Sequence, residues 1–391
     1  MGIVDGSDGR PLRVAMLFRW DSADKGVVSG TGFGLARGLE GLGVEVVRIH
    51  GRPPQSVLGL LARGTRARWR LEGCEEETWR SGIESTMARN AAARTGLLRA
   101  GRLDGIVQLS SDFLVPRPRA PLVTYDDMTI QQAVDAGYPP WKLAPRDLQW
   151  RIDRQAAAFQ GAVACCTRSA WTVSSICSDY GIDPGKGKVV GVGRNREIPT
   201  SSGRSWEAPT FLITASNWER KNGPRVLSAF AEVRRHHPQA RLHVAGLHPR
   251  IDAPGVEAHG PLHLDNEVEK AQLDRLFAQA TCFVMPSLHE PLGISYAEAG
   301  AAGIPSIGTR NGGAREVIGP GGVVIDPLDE DALVEAMLHF CEPAEAAATG
   351  ERARAHAQLY TWPRVAKRIL HALGRLSPEQ DPEAAFLGGP D

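Results

Sequence analysis

The chain has 391 residues, more than one hydrophobic core usually holds, and this length predicts two domains. Its 45 Lys and Arg residues balance its 45 Asp and Glu residues, so no overall charge favours nucleic acid or a membrane as a partner. The six cysteines form no C-x-x-C pair, which indicates reduced thiols rather than disulfides or a zinc site. Without a signal-peptide pattern or a membrane-spanning apolar run, we expect a soluble, cytoplasmic protein.

The first half of the chain alternates short β-rich runs with helical patterns, which is typical of a parallel sheet with crossover helices. A helix is predicted from Thr31 to Leu42, and strands are predicted over 12–18, 44–50, 104–110, 121–125 and 162–166. A Pro/Ser/Gly-rich stretch over 197–205 then has the composition of a linker. The first domain is therefore predicted to span residues 1–198.

The same alternation restarts after the linker. Strands are predicted over 210–216, 240–246, 281–287, 304–308 and 321–326, with helices over 224–236 and 266–279, after Gly293 and from Asp329. The sequence thus predicts an α/β protein with two Rossmann-like doubly wound domains, the second spanning 199–360. Because ligands bind at the carboxyl ends of strands in such sheets, the two domains are expected to face each other across a cleft. A helix over 361–376 is expected to pack back on the first domain, and the tail 377–391 to be disordered.

The segment 286–318 carries the most informative chemical pattern. A loop leads from a strand into a helix that begins near Gly293, and the first-turn N–H groups of such a helix form an anion site. Glu298 follows Ile294 by one helical turn, about 6 Å along the axis, which suits a ribose diol beside a bound diphosphate. Glu290 precedes the helix and can face a sugar ring on the other side of the phosphate. Taken singly, these residues also fit a surface loop, a helix cap and an exposed glutamate.

The spacing of Glu290 and Glu298, followed by G-x-P at 303–305 and by Gly312-Gly313-x-x-Glu316, resembles the donor-site signature of the family 4 retaining glycosyltransferases of GT-B fold. The resemblance covers most of the chain and is most specific over 210–340. It implies a hexosyltransferase that moves a sugar, with retention, from a UDP- or GDP-linked donor to a hydroxyl on a small molecule, glycan or lipid. The nucleotide sugar is then a substrate, and no cofactor is implied.

The resemblance also assigns roles to the two domains and to single residues. The first domain binds the acceptor, and the second binds the nucleotide sugar. Glu290 contacts the transferred sugar, Glu298 binds the ribose, and the backbone at Gly293 and Ile294 holds the diphosphate. Leu292 stands where the family usually has an aromatic residue.

A cationic pair, Arg220 and Lys221, follows the first strand of the second domain in the turn 216–223. Cations at this end of a strand can neutralise a leaving diphosphate. The resemblance keeps Lys221, but Ser216 occupies the family's usual Arg position, so Arg220 is expected to share the task. We identify no acidic cluster suited to holding a diphosphate through a metal, and we expect no metal. A solvated basic turn is the alternative interpretation.

Two segments of the first domain are further candidates. Gly30 and Gly32, with Gly34, precede a helical pattern, and the resemblance implies a loop that closes over the donor phosphates and the acceptor. A plain flexible loop is the alternative. Asp126 and Asp127 end a strand where the family commonly has His-Asp, and they can bind a sugar hydroxyl or act as a base. A turn carboxylate with a structural role is the alternative for this pair.

A basic stretch over 60–70 carries Arg66, Arg68 and Arg70 with Trp69. Such a stretch can lie on an anionic membrane surface, although a solvated helix face is the more usual explanation. A phosphorylated or otherwise acidic acceptor is a further alternative partner for it.

Two other functions compete with glycosyl transfer. One is a two-domain sugar-binding protein without catalysis, and the other is an epimerase or phosphorylase with the same fold. Release of a nucleoside diphosphate in the presence of a sugar acceptor would separate a transferase from a binding protein.

Overall fold

The structure is a computed structural model that describes residues 10–19, 30–71, 82–111, 113–138, 143–196, 198 and 204–388, without the side chains of 66–71. The chain divides into two compact units, residues 1–191 with 362–391 and residues 192–361. Residues 192–196, just before the expected linker, already belong to the second unit. Arg194 N–H, for example, donates to the Tyr360 carbonyl oxygen at 3.1 Å. Most of the linker, 197 and 199–203, lies outside the described residues. No described helix is long and apolar enough to cross a membrane.

The first unit is built on a six-stranded parallel sheet in the order β2-β1-β3-β4-β5-β6. Its strands are β1 (Arg13–Phe18), β2 (Glu45–His50), β3 (Gly105–Leu109), β4 (Leu122–Asp126), β5 (Ala164–Thr167) and β6 (Gly187–Val189). Its helices are α1 (Thr31–Glu40), α2 (Gln55–Leu71), α3 (Ile83–Arg99), α4 (Ile130–Asp135), α5 (Pro145–Gly161) and α6 (Ala170–Ser178). The central strands β3, β4 and β5 are buried along their whole length, as expected for a sheet with helices on both faces.

The second unit repeats this architecture, with strand order β12-β11-β10-β7-β8-β9. Its strands are β7 (Thr210–Ala215), β8 (Arg241–Gly246), β9 (Val256–Gly260), β10 (Cys282–Val284), β11 (Ser306–Thr309) and β12 (Gly322–Ile325). Its helices are α7 (Gly223–His236), α8 (Glu267–Gln279), α9 (Ile294–Ala301), α10 (Ala314–Ile318), α11 (Glu330–His339) and α12 (Pro343–Ala357). All of its strand pairs are parallel. Two doubly wound sheets therefore confirm the predicted α/β fold class.

The last helix, α13 (Trp362–Ala372), belongs to the first unit and packs against α1. Two glycines of α1 make the close approach possible: a Cβ at Gly34 would lie 2.1 Å from the Trp362 ring, and one at Gly38 would lie 2.6 Å from the Trp362 carbonyl oxygen. The glycines of this segment thus have a packing role that the sequence pattern does not show.

The tail after residue 376 was expected to be disordered, but the structure places it against α13 as far as residue 388. Lys367 Nζ lies 2.7 Å from a carboxylate oxygen of both Asp381 and Glu383. The ring of Phe386 stacks on His371, with 4.4 Å between the ring centroids. Polar composition predicts disorder only where no partner is available, and α13 supplies one here.

The contact between α1 and α13 gives a stability prediction. We expect Gly34→Ala to lower the free energy of unfolding by about 1–3 kcal/mol, because the new methyl group overlaps the Trp362 ring. Gly59→Ala in α2 is the matched control, since a Cβ there has nothing within 4 Å. It should raise stability by about 0.4–1 kcal/mol. Chemical denaturation of both variants checks this, and equal effects would contradict the packing account.

Candidate active site

Three neighbouring strands of the second unit, β7, β10 and β11, end at one edge of the sheet. The turn after β7 carries Arg220 and Lys221, the loop after β10 carries Glu290, and the loop after β11 carries Gly312. The first two loops are joined by a backbone hydrogen bond, in which Leu288 N–H donates to the Arg220 carbonyl oxygen at 2.8 Å. The carboxyl edge of a doubly wound sheet is the usual ligand-binding position, so this is the candidate site.

Glu290 is the centre of a buried ionic cluster. Lys221 Nζ donates to Glu290 Oε2 in a short charged contact, and Arg220 Nη1 lies 3.3 Å from the same oxygen. Ser287 Oγ also donates to it at 3.3 Å, and Arg220 Nη1 donates to the His289 carbonyl oxygen at 2.9 Å. The structure therefore brings together three residues that the sequence placed on two separate loops.

The backbone of Glu290 is fixed as well as its side chain. Its N–H donates to the Asn311 carbonyl oxygen at 3.0 Å, and its own carbonyl oxygen accepts from Gly313 N–H at 3.1 Å. A Cβ at Gly312, where φ is 111°, would lie only 2.1 Å from that carbonyl oxygen. Glycine is required at 312 because the two loops touch through their backbones, which explains the first glycine of the Gly-Gly pair structurally.

The cluster has a defined charge state. Burial alone would raise the pKa of Glu290, but the adjacent Lys221 and Arg220 charges outweigh it and hold the pKa below its ordinary value. Burial lowers the pKa of Lys221, while the Glu290 carboxylate opposes that shift. The Glu290 carboxylate favours the charged form of Lys221, while the adjacent charge of Arg220 lowers the pKa of Lys221 further. Two cations and one carboxylate leave one net positive charge at the edge of the sheet.

Helix α9 begins beside this cluster. Its N-cap is Gly293, with φ 86°, where a Cβ would lie 2.6 Å from the Tyr296 ring and 3.1 Å from Glu290 Cγ. Ser295 Oγ accepts from Thr214 Oγ1 of β7 at 3.3 Å, which ties the first turn of α9 to the end of that strand. Helix N–H groups in a first turn, including that of Ile294, have no intrahelical acceptor and carry the positive end of the helix dipole. The arrangement can bind an anion.

Glu298 lies one turn further along α9 and is buried in a second ionic cluster. Arg196 binds both of its carboxylate oxygens, Nη2 to Oε2 at 2.9 Å and Nε to Oε1 at 3.3 Å. Arg196 Nη1 also donates to Asp274 Oδ1 at 2.6 Å, and the guanidinium lies 4.7 Å from the centroid of the Phe277 ring. Burial lowers the pKa of Arg196, whereas the carboxylates of Glu298 and Asp274 raise it. The two carboxylates outweigh burial, so the pKa of Arg196 is raised overall.

This second cluster shows what sequence reasoning missed. The proposed ribose-binding Glu298 has its orientation fixed by Arg196, which stands in no recognisable motif and precedes the linker. A carboxylate offers about four lone-pair positions, so two remain for hydroxyl donors after Arg196 has bound both oxygens. Arg196 is therefore a positioning residue for Glu298.

The candidate carboxylates of the first unit do not act as a pair. Asp126 is buried and accepts from the N–H and the Oγ of Ser111 at 2.7 and 2.8 Å. Asp127 is half-buried, and its Oδ2 lies 3.8 Å from Arg168 Nη1. The structure thus gives Asp126 a role in joining β4 to the loop after β3, while its contact with an acceptor stays a prediction.

Asp126 gives a pH prediction. Burial raises its pKa to about 7, against hydrogen bonds from Ser111 that lower it. The folded chain therefore keeps this proton where the unfolded chain, with a pKa near 4, has lost it. The free energy of unfolding of the wild type, measured relative to that of Asp126→Asn, should therefore fall by on the order of 4 kcal/mol as pH rises from about 4 to about 7. Above pH 7 the difference between the two proteins should stay constant. Denaturation of both proteins across this range measures it, and parallel pH profiles would contradict it.

The glycine-rich segment agrees with the helix predicted from Thr31, so a loop through Gly32 is wrong. Gly30, with φ 72°, is the N-cap of α1, and Gly32 lies inside the first turn of that helix and is buried. A donor-closing role for these two glycines stays a prediction. The side chains of Arg66, Arg68, Trp69 and Arg70 fall outside the described residues, so the membrane-surface interpretation is not addressed by the structure.

Comparisons with known proteins point to one family. A family model described as "Glycosyl transferases group 1" matches residues 195–356. A GDP-mannose-dependent alpha-(1-6)-phosphatidylinositol monomannoside mannosyltransferase of Mycolicibacterium smegmatis is 32% identical over 173 residues, covering 40% of this chain and 44% of that protein. Sucrose-phosphate synthase of Spinacia oleracea is 27% identical over 143 residues, covering 36% of this chain and 13% of that protein. The chain thus spans less than half the length of these curated relatives.

Solved structures share the fold over nearly the whole chain. Sucrose-phosphate synthase from Thermosynechococcus elongatus superposes with a TM-score of 0.67 at 16% identity, covering 92% of this chain and 98% of the other. Anabaena Alr3699/HepE, solved in complex with UDP and glucose, superposes with a TM-score of 0.61 at 15% identity, covering 93% of this chain and 100% of the other. At these identities the likeness establishes the GT-B fold and no more.

Proposed function

Because a model of the group 1 glycosyltransferases matches residues 195–356 and the chain has the GT-B fold, we propose that this protein is a retaining, metal-independent family 4 glycosyltransferase. It moves a hexose from a UDP- or GDP-linked donor to a hydroxyl group of an acceptor. The observation that carries the proposal is the cluster of Glu290, Lys221 and Arg220 beside the start of α9.

The net positive charge of this cluster fits the leaving group. Breaking the bond between the sugar and the diphosphate transfers negative charge to the diphosphate, and fixed cations near it lower the barrier because they need no rearrangement. Lys221 and Arg220 supply side-chain charge, and the N–H groups of Gly293 and Ile294 supply backbone donors. A bound diphosphate and Glu290 would share the two cations.

Glu290 and Glu298 have separate tasks in this proposal. Glu290 is ionised and can accept hydrogen bonds from hydroxyls of the transferred sugar. Glu298, with its orientation fixed by Arg196, accepts from the two ribose hydroxyls one helical turn away from the phosphate. Ile294 and Glu298 lie about 6 Å apart along the helix axis. This separation suits adjacent phosphate and ribose groups of one nucleotide.

Retention is proposed to follow from departure and attack on one face of the sugar. The leaving diphosphate takes the proton of the acceptor hydroxyl, the new glycosidic bond forms, and the old bond to the diphosphate oxygen breaks. The proton ends on the released nucleoside diphosphate. Acceptor contacts by Asp126, Asp127, Gly30 and Gly32 of the first unit remain predictions within this scheme.

A chelator tests the proposed metal independence. In the described part of the chain, the one group of three metal-ligating side chains lies on β8 and β9, not among Glu290, Lys221 and Arg220. Since the side chains of Lys221 and Arg220 can compensate the diphosphate charge, excess EDTA should leave the transfer rate close to that of untreated enzyme. Loss of most activity, restored by Mg²⁺ or Mn²⁺, would contradict this expectation.

A donor screen tests the function itself. Thermal unfolding is measured with UDP- and GDP-linked sugars, and a donor at a hundred times its dissociation constant stabilises the fold by about 2.7 kcal/mol. This corresponds to a shift of several degrees in Tm, on the order of 2–4 °C per kcal/mol for a unit of this size. No shift with any nucleoside diphosphate sugar would overturn the proposal.

A further inference from the structure

The edge strand β9 carries a cluster of metal-ligating side chains outside the proposed active site. In the parallel pairing of β8 and β9, His243 is the register partner of Glu257. His259 follows Glu257 by two residues on β9, at a shift in the register of the two strands between Val244 and Ala245. The three side chains nevertheless bring two imidazoles and one carboxylate together at the edge of the second unit.

The ligand atoms lie close to the separations that a tetrahedral ion requires. His243 Nδ1 lies 3.1 Å from His259 Nε2 and 3.5 Å from Glu257 Oε2. The ligand atoms of all three residues lie within 4.8 Å of one another. Bonds of about 2.0–2.1 Å to a tetrahedral Zn²⁺ place its ligand atoms about 3.3 Å apart. A small rotation of Glu257, which is half-exposed, completes the set.

The two carboxylate oxygens of Glu257 have different partners. Arg241 Nη1 lies 3.7 Å from the other Glu257 oxygen, Oε1, which leaves Oε2 directed to His243.

An outer hydrogen bond orients the exposed histidine. The amide nitrogen of Gln272 on α8, Nε2, lies 3.2 Å from His259 Nδ1. For metal binding the amide turns over, so that its oxygen accepts from Nδ1–H and the lone pair of His259 Nε2 is free for the ion. Metal-binding histidines are usually fixed in this way, and loss of the outer partner typically weakens binding by about 10–100-fold.

We propose that His243, Glu257 and His259 form a binding site for one Zn²⁺-type divalent ion, with a fourth position open to solvent. The ion would join β9 to β8 and, through Gln272, to α8, so it would stabilise the second unit rather than take part in sugar transfer. Two strands separate β9 from β10, whose following loop carries Glu290. Two imidazoles and one carboxylate favour Zn²⁺ over Mg²⁺ or Ca²⁺, which prefer oxygen ligands.

The full chain without a histidine tag is stripped of metal and titrated with Zn²⁺ in equilibrium dialysis, with metal analysis of the protein. We expect about one tight Zn²⁺ per chain, a loss of affinity of at least about 100-fold in His259→Gln, and a loss of about 10–100-fold in Gln272→Ala. His236→Gln is the matched control, because this histidine is exposed on α7 and lies outside the cluster. It should bind Zn²⁺ as the wild type does.

Two further measurements keep the test independent of folding defects. Co²⁺ should give the visible absorption of a four-coordinate site in the wild type, and Glu257→Gln, a conservative change at an exposed position, should abolish it. Zn²⁺ should raise the Tm of the wild type but not of Glu257→Gln. If Zn²⁺ binds all variants alike, or Co²⁺ shows only six-coordinate absorption, the cluster is an imidazole hydrogen bond without a metal site and the proposal is overturned.

Discussion

Glu290→Gln and Lys221→Ala should each lower kcat by about 100-fold or more, the usual effect of removing one group that stabilises charge in a transition state. In the proposed function Lys221 compensates charge that grows on the diphosphate during bond breakage, so its loss should lower kcat more than donor affinity. Glu290→Gln should not weaken the binding of free nucleoside diphosphate, because the change removes the negative charge that opposes Lys221 and Arg220. Steady-state kinetics beside calorimetric titration of UDP and GDP measures both effects.

The matched controls for this prediction are Glu267→Gln and Lys270→Ala. These residues form a surface ion pair on α8, 3.6 Å between Lys270 Nζ and Glu267 Oε2, with the same two charges. Exposed pairs contribute little, so both controls should behave as the wild type. Arg220→Ala should resemble Lys221→Ala if Arg220 shares the diphosphate. Near-wild-type turnover in both Glu290→Gln and Lys221→Ala would show that the donor site does not lie at this edge of the sheet.

The second large effect is expected at Glu298 and Arg196. Glu298→Gln should weaken UDP or GDP by about 10–100-fold, since a hydrogen bond to a charged acceptor contributes about 1.5–3 kcal/mol. Arg196→Lys should also lower the affinity for UDP or GDP, because a lysine cannot bind both oxygens of Glu298 in the fixed geometry of a guanidinium. Arg196→Ala should in addition destabilise the fold by about 3–5 kcal/mol, since it leaves a buried carboxylate without its partner.

A dideoxy ligand separates ribose binding from general damage to the site. A nucleoside diphosphate without the two ribose hydroxyls has nothing to donate to Glu298, so its affinity should be low and nearly the same in the wild type and in Glu298→Gln. If Glu298→Gln weakens this ligand as much as the natural nucleotide, Glu298 acts on something other than the ribose.

Periodicity predicted the strands whose side chains are apolar and missed those that are not. The runs that became β1, β3, β7 and β8 were identified because buried parallel strands are apolar throughout. The strand β9 has the sequence VEAHG, which has no apolar run, and β6 is only GKV. Both are edge strands, where polar residues are tolerated on the open side.

The site was predictable where a motif carries its own geometry. Glu290, Gly293 and Glu298 belong to one loop-helix segment, so their order along the chain already indicates their order in space. The contact of Lys221 with Glu290 depends on β7 and β10 being neighbours, which no local pattern specifies. Arg196 binds Glu298 from 102 residues away, and the cluster of His243, Glu257 and His259 depends on the pairing of two strands. Such contacts are set by tertiary packing alone.

The central claim is that the second unit binds a nucleoside diphosphate sugar and that its cationic cluster promotes departure of the diphosphate. The most direct test is the rate at which free UDP or GDP appears from the donor found in the thermal screen, with and without a panel of hydroxyl acceptors. The wild type should release nucleoside diphosphate in step with a glycosylated product, and Lys221→Ala should release it at least about 100-fold more slowly at saturating donor. Donor binding without any acceptor-dependent release, or equal release by Lys221→Ala, would contradict the account.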